Sequence, residues 1–125
     1  RGEKGRELLA YAAELDSNEW RSEERLREEM VSVALRKIAA EGGRSAEPGV
    51  QCVKEAVAYW PSEIPTSRDW GRKTIAKVYA GTGFHSYHSG NRRLARSSLL
   101  RALALDPAWL GNYGVLVMIG KSMFG

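Results

Sequence analysis

The reading of one stretch decides the fold: YAGTGFHSYHSGNRRLARSSLLRALALDP, from Tyr79 to Pro107. Leu94, Ala95, Leu99, Ala102 and Leu103 recur at three- and four-residue spacing, which predicts a helix over 92–105 with one apolar face. Gly90-Asn91 before it marks a tight turn, because glycine accepts the left-handed backbone in which helices commonly end. Asp106-Pro107 after it stops one helix and starts the next, with Asp as cap and Pro in the first turn. Gly83, Gly90, Ala95 and Ala102 are small where two helices must approach closely. The stretch therefore predicts helix, turn and helix.

Upstream, residues 67–89 read as one long helix with Trp70, Ile75, Val78, Tyr79 and Thr82 on its packed side. Gly81 and Gly83 weaken it, each by about 1 kcal/mol against alanine. Thr66-Ser-Arg-Asp69 is a capping-box pattern at its start. Before it, a helix from Ser45 or Glu47 to Trp60 carries Val50, Val53, Ala56, Val57 and Trp60 inward, and Pro48 fits its first turn. Gly42-Gly43 end a helix running from Glu19 to Glu41, whose stripe is Leu26, Met30, Val33, Ala34 and Ile38. Asp16 to Glu19 is a further capping box, and 3–15 shows Leu8, Leu9, Ala12 and Leu15 at helical spacing. Downstream, Pro107–Phe124 reads as a final helix with Trp109, Leu110, Tyr113, Leu116, Val117 and Met123 apolar. That helix has apolar residues on more than one face, so it is expected to pack against a neighbouring hairpin, a second copy or a missing domain. No segment alternates with the period of a strand. The expected fold is all-α: about six helices in a single domain over 1–125. A chain beginning with Arg1 reads as a piece of a larger protein.

Charge is unevenly placed. Residues 1–65 hold 10 Lys and Arg against 13 Asp and Glu, whereas 66–125 hold 9 against 2. Lys73, Lys77, Arg92, Arg93, Arg96 and Arg101 are the candidate anion- or partner-binding residues, with Arg92 and Arg93 at a helix start that itself favours anions. A solvated face is the plainer alternative. Cys52 is the one cysteine, so no internal disulfide is possible and nothing argues for an oxidising compartment. His85 and His88 share a helical face, but no third ligand stands at metal-binding spacing. Gly81-Thr-Gly83 lacks the Lys-Ser/Thr and the preceding strand of a phosphate loop. Trp20, Trp60, Trp70 and Trp109 lie near helix ends, where they plug seams between helices. No catalytic residue, cofactor or metal is expected.

Three short helices end alike, at Ala13-Glu-Leu-Asp16, Ala58-Tyr-Trp-Pro61 and Ala104-Leu-Asp-Pro107, spaced by 45 and 46 residues. Such a period suits stacked helical hairpins. Tyr79, Gly83, Gly90, Ala95, Leu99, Ala102 and Pro107 resemble the anchors of a tetratricopeptide-like repeat. The preceding hairpin matches only at Val53, Ala56 and Pro61. The run Gly90-Asn91-Arg92, Ala95-Arg96, Leu99-Leu100-Arg101-Ala102-Leu103, Asp106-Pro107 also resembles the helical segment that follows the catalytic domain in bacterial family-2 glycosyltransferases. The Asp-x-Asp motif and strand-rich fold of those enzymes are absent. The resemblance therefore implies a non-catalytic accessory domain of a glycosyltransferase in polysaccharide or glycan synthesis. Its implied partners are its own catalytic domain, another protein or an anionic membrane surface, at a cytoplasmic location or the membrane's inner face. A free-standing tetratricopeptide-like scaffold for protein–protein interaction is the alternative, and nucleic-acid binding through 66–101 is a weaker third.

Overall fold

A computed structural model of the chain describes residues 23–59 and 69–124. The described residues form helices and the turns that join them, with no strand, so the all-α expectation holds. Five α-helices run in order: α1 (Glu23–Ala40), α2 (Glu47–Ala58), α3 (Trp70–His88), α4 (Arg92–Leu105) and α5 (Tyr113–Phe124). A 3₁₀ turn, Pro107–Gly111, separates α4 from α5. The helix expected over 3–15, the start of α1 from Glu19, the Asp16 cap, and Trp20, Trp60, Pro61 and Thr66 lie outside the described residues.

Two glycine turns set the pairings. After α1, Gly43 N donates to Ile38 O at 2.9 Å and Gly42 N to Ala39 O at 3.1 Å. After α3, Asn91 N donates to Ser86 O at 2.8 Å and Gly90 N to Tyr87 O at 3.2 Å. These are paired six-to-one and five-to-two closures, and Gly42 (φ 98°) and Gly90 (φ 87°) supply the left-handed residue each requires. Asn91 then caps α4, its Oδ1 accepting from Leu94 N at 3.2 Å.

The α3–α4 pair is antiparallel. Arg72, in the first turn of α3, donates to the carbonyl of Leu105, the last residue of α4. Arg101 Nη1 reaches Tyr79 Oη at 3.3 Å. Further along, a Cβ at Gly83 would stand 2.5 Å from Leu99 Cγ and 3.3 Å from Ala95 O. Glycine is thus what lets the helices touch there, as the spacing of small residues predicts. Gly49 plays the same part between α1 and α2, where a Cβ would meet Ile38 Cδ1 at 2.6 Å and Ala34 O at 2.8 Å.

α3 is the central helix. Trp70, Thr74, Ala76, Val78, Tyr79, Ala80, Thr82, Gly83 and Ser86 are all buried and point to most sides of it, leaving the line of Lys73, Lys77 and Phe84 partly covered. A helix covered on most of its sides lies largely within the core rather than on its surface. Its buried threonines satisfy themselves: Thr74 Oγ1 donates to Trp70 O at 2.7 Å and Thr82 Oγ1 to Val78 O at 2.9 Å. Leu26, Met30, Ala34 and Ile38 of α1 and Val50, Val53 and Ala56 of α2 complete the main core. A smaller cluster joins Leu99 of α4 to Val115 and Ile119 of α5.

Three expectations need correction. Pro107–Phe124 is not one helix, because Asn112 starts α5 afresh, its Oδ1 accepting from Val115 N at 3.1 Å. With the helix broken and re-aimed, Val115 and Ile119 turn inward, while Leu110 (58% exposed) and Leu116 (42%) face out. Val57 is 42% exposed at the end of α2, rather than inward. The helix expected from residue 67 begins at Trp70, and Asp69 before it makes no side-chain capping hydrogen bond to it but pairs with Arg72 at 3.4 Å. The side chains of Tyr113 and Met123 lie outside the described set.

Candidate interaction groove

α1 carries two stripes. Leu26, Met30, Ala34 and Ile38, four residues apart, are buried in the core. Val31 and Leu35 form a second, partly buried pair beside it, also four apart. This second stripe faces α3 across an open groove of about 550 Å³. Ala80, Gly81 and Phe84 form the α3 wall, and Trp109 of the 3₁₀ turn closes one end.

Two features hold the groove's shape. Leu35 reaches so close to α3 that a Cβ at Gly81 would stand 3.0 Å from its Cδ1. Phe84 and Trp109 meet edge to face, with ring centroids 6.4 Å apart. Past Leu35 and Gly81 the groove continues into a second hollow of about 170 Å³ that reaches Gly43, His85 and Ser86. Leu35 thus meets Gly81, and the C-terminal ends of α1 and α3 come together, so these two helices run in the same direction.

The rim is charged. Glu28, Ser32 and Arg36 of α1 stand along one edge and Lys77 of α3 along the other. An apolar floor with charges of both signs at its edge offers burial to side chains and orientation to a backbone. The indole N–H of Trp109 is buried without an acceptor.

The six basic candidates do not converge on a point. Lys73 and Lys77 are half-buried on α3, with Lys77 in the groove rim. Arg92 and Arg93 are exposed at the far end of the pair, because Arg72 lies level with Leu105 and the chain folds back at Gly90. At about 1.5 Å per residue, the two ends lie roughly 20 Å apart. Arg96 is half-buried between them, and the Arg101 guanidinium lies 5.7 Å from the Tyr79 ring centroid. The arrangement is a band along α3 and α4, too long to grip one phosphate with all six residues.

Cys52 is buried in α2. His85 and His88 are exposed, and His88 stacks edge-on against Tyr87 at 5.5 Å. Among the described residues no three His, Cys, Asp or Glu side chains gather as a metal site would require. None of the described helices is long and apolar enough to cross a membrane.

Sequence reasoning missed the groove. Its signal was present: Val31 and Leu35 add a second i,i+4 apolar pair to a helix whose first stripe already fills the core. Gly81 marks the place on α3 that Leu35 approaches. No family model matches the chain. Neither a curated protein nor a solved structure matches it.

Proposed function

We propose that the chain is a non-catalytic helical interaction module, tetratricopeptide-like in build, that holds a polypeptide segment in the groove between α1 and α3. The observation that carries this is the pair of parallel helices with an open apolar floor and a charged rim. Stacks of helical hairpins present grooves of this kind between the first helices of successive hairpins. An amphipathic segment laid there would bury its apolar side chains on Val31, Leu35 and Phe84. Each well-buried apolar side chain contributes about 1.5–3 kcal/mol before ordering costs are subtracted.

The narrower reading names the occupant. Resemblance of the Gly90–Pro107 run to the segment trailing bacterial family-2 glycosyltransferases supports a catalytic domain of the same polypeptide. In that reading the module braces the enzyme and touches neither donor nor acceptor sugar.

A photo-crosslinking residue at Ser32, on the groove rim, tests the proposal in the full-length protein. The expected product joins Ser32 to a peptide from a nucleotide-sugar-binding domain, and Leu35→Asp should cut its yield about tenfold or more, as loss of one buried anchor implies. A cross-link to a separate protein would keep the groove and discard the glycosyltransferase reading. No cross-link from Ser32, or one indifferent to Leu35→Asp, would overturn the groove itself.

A further inference from the structure

The α4–α5 part of the molecule carries exposed leucines and exposed arginines that the groove does not use. Arg93, Ser97, Leu100 and Ala104 stand at positions that share one face of α4, and all four are exposed. Arg92 and Arg96 border that face. Neither they nor Arg93 has an ion-pair partner among the described residues, where the salt bridges join Lys37 to Glu41 and Arg72 to Asp69. From Arg92 to Phe124 the chain has five Lys and Arg but a single carboxylate, Asp106, which is engaged in capping the 3₁₀ turn at 3.2 Å from Ala108 N. Leu100 (46% exposed), Leu110 (58%) and Leu116 (42%) protrude from α4 and the adjoining turn and helix. α5 itself carries only one charge, Lys121.

We propose that this surface docks on an anionic lipid bilayer, with the leucines entering the headgroup region and the arginines meeting lipid phosphates and carboxylates. Charge complementarity selects this occupant. A second copy of the same face would set one cluster of uncompensated arginines against another. A single phosphate is too small for cations spread along a helix. The leucines stand on separate, outward-facing elements rather than in a cleft, as suits a soft, flat partner that accepts isolated apolar side chains between cations. Arginine is adapted to this position, since its aliphatic stem can lie among acyl chains while the guanidinium stays at the headgroups.

The test is sedimentation of the full chain with vesicles of phosphatidylcholine alone or with a third phosphatidylserine. The expected result is binding to the anionic vesicles only, falling with added salt. Each arginine removed should weaken it about fivefold. Arg93→Glu with Arg96→Glu should abolish it, while Leu116→Ser should weaken it without changing its salt dependence. Circular dichroism and urea melts confirm that each variant folds. Because Leu35→Asp lies on the other side of α3, it should leave vesicle binding unchanged, which separates this surface from the groove. Absence of binding, equal binding to neutral vesicles, a concentration-dependent dimer that removes vesicle binding, or binding untouched by Leu116→Ser and matched by a soluble polyanion would each overturn the proposal.

Discussion

Glycine has two different jobs in α3, and the difference is measurable. At Gly83 an added methyl would run into Leu99 Cγ at 2.5 Å, inside the α3–α4 contact. Gly83→Ala therefore sets an overpacking cost of about 1–3 kcal/mol against a helix-propensity gain of about 1 kcal/mol, for a net loss of up to about 2 kcal/mol. At Gly81 the nearest atoms are the far end of Leu35, at 3.0 and 3.2 Å, which has an open groove to move into. Gly81→Ala should be neutral or stabilising by up to about 1 kcal/mol. Urea denaturation of the two variants decides the matter, and equal midpoints would mean that the close approach at Gly83 is not what the glycine serves. Gly83 was legible in sequence because Ala95 and Leu99 stand at matching spacing beyond the turn. Gly49 was not, because its partners Ala34 and Ile38 lie on an earlier helix and Pro48 alone accounted for the irregularity.

At the scale of helices, punctuation carried most of the information. Gly42-Gly43, Gly90-Asn91 and Asp106-Pro107 mark real ends, and four helix boundaries follow from them. The reading of Pro107–Phe124 as one helix passes over Gly111-Asn112, which repeats the Gly90-Asn91 pair twenty-one residues later. Its physics is the same, since Asn112 Oδ1 satisfies one of the free N–H groups of α5 at Val115. Asn112→Ala should cost about 1 kcal/mol, whereas Asp69→Ala, which removes only an exposed ion pair and no cap, should cost about half that or less. Thermal melts of both variants check the order, and a larger loss at Asp69 would contradict the capping assignment. Exposure of Leu110 and Leu116 could not be read from periodicity once the helix was drawn through the break, because a restart at Asn112 rotates every later residue about the axis.

For the whole molecule, hydrophobic periodicity foretold the class, and three-dimensional placement revealed the surfaces. The charge asymmetry between residues 1–65 and 66–125 was visible at once, but not that its cations lie in a band rather than a cluster. That follows only from the antiparallel return at Gly90. The two proposed surfaces lie on different sides of α3, so occupation of one would leave the other open. The central position of α3 has a further consequence. Its amide hydrogens are shielded by α1, α2 and α4, and local fraying cannot reach those in its middle. In deuterated buffer the amides from Ala76 to Gly83 should therefore exchange last, at a rate set by global unfolding, while those of α5, packed through little more than Val115 and Ile119, exchange through smaller openings. The molecule then has a slow spine and a quick edge, and the edge that loosens first is the one proposed to meet the lipid.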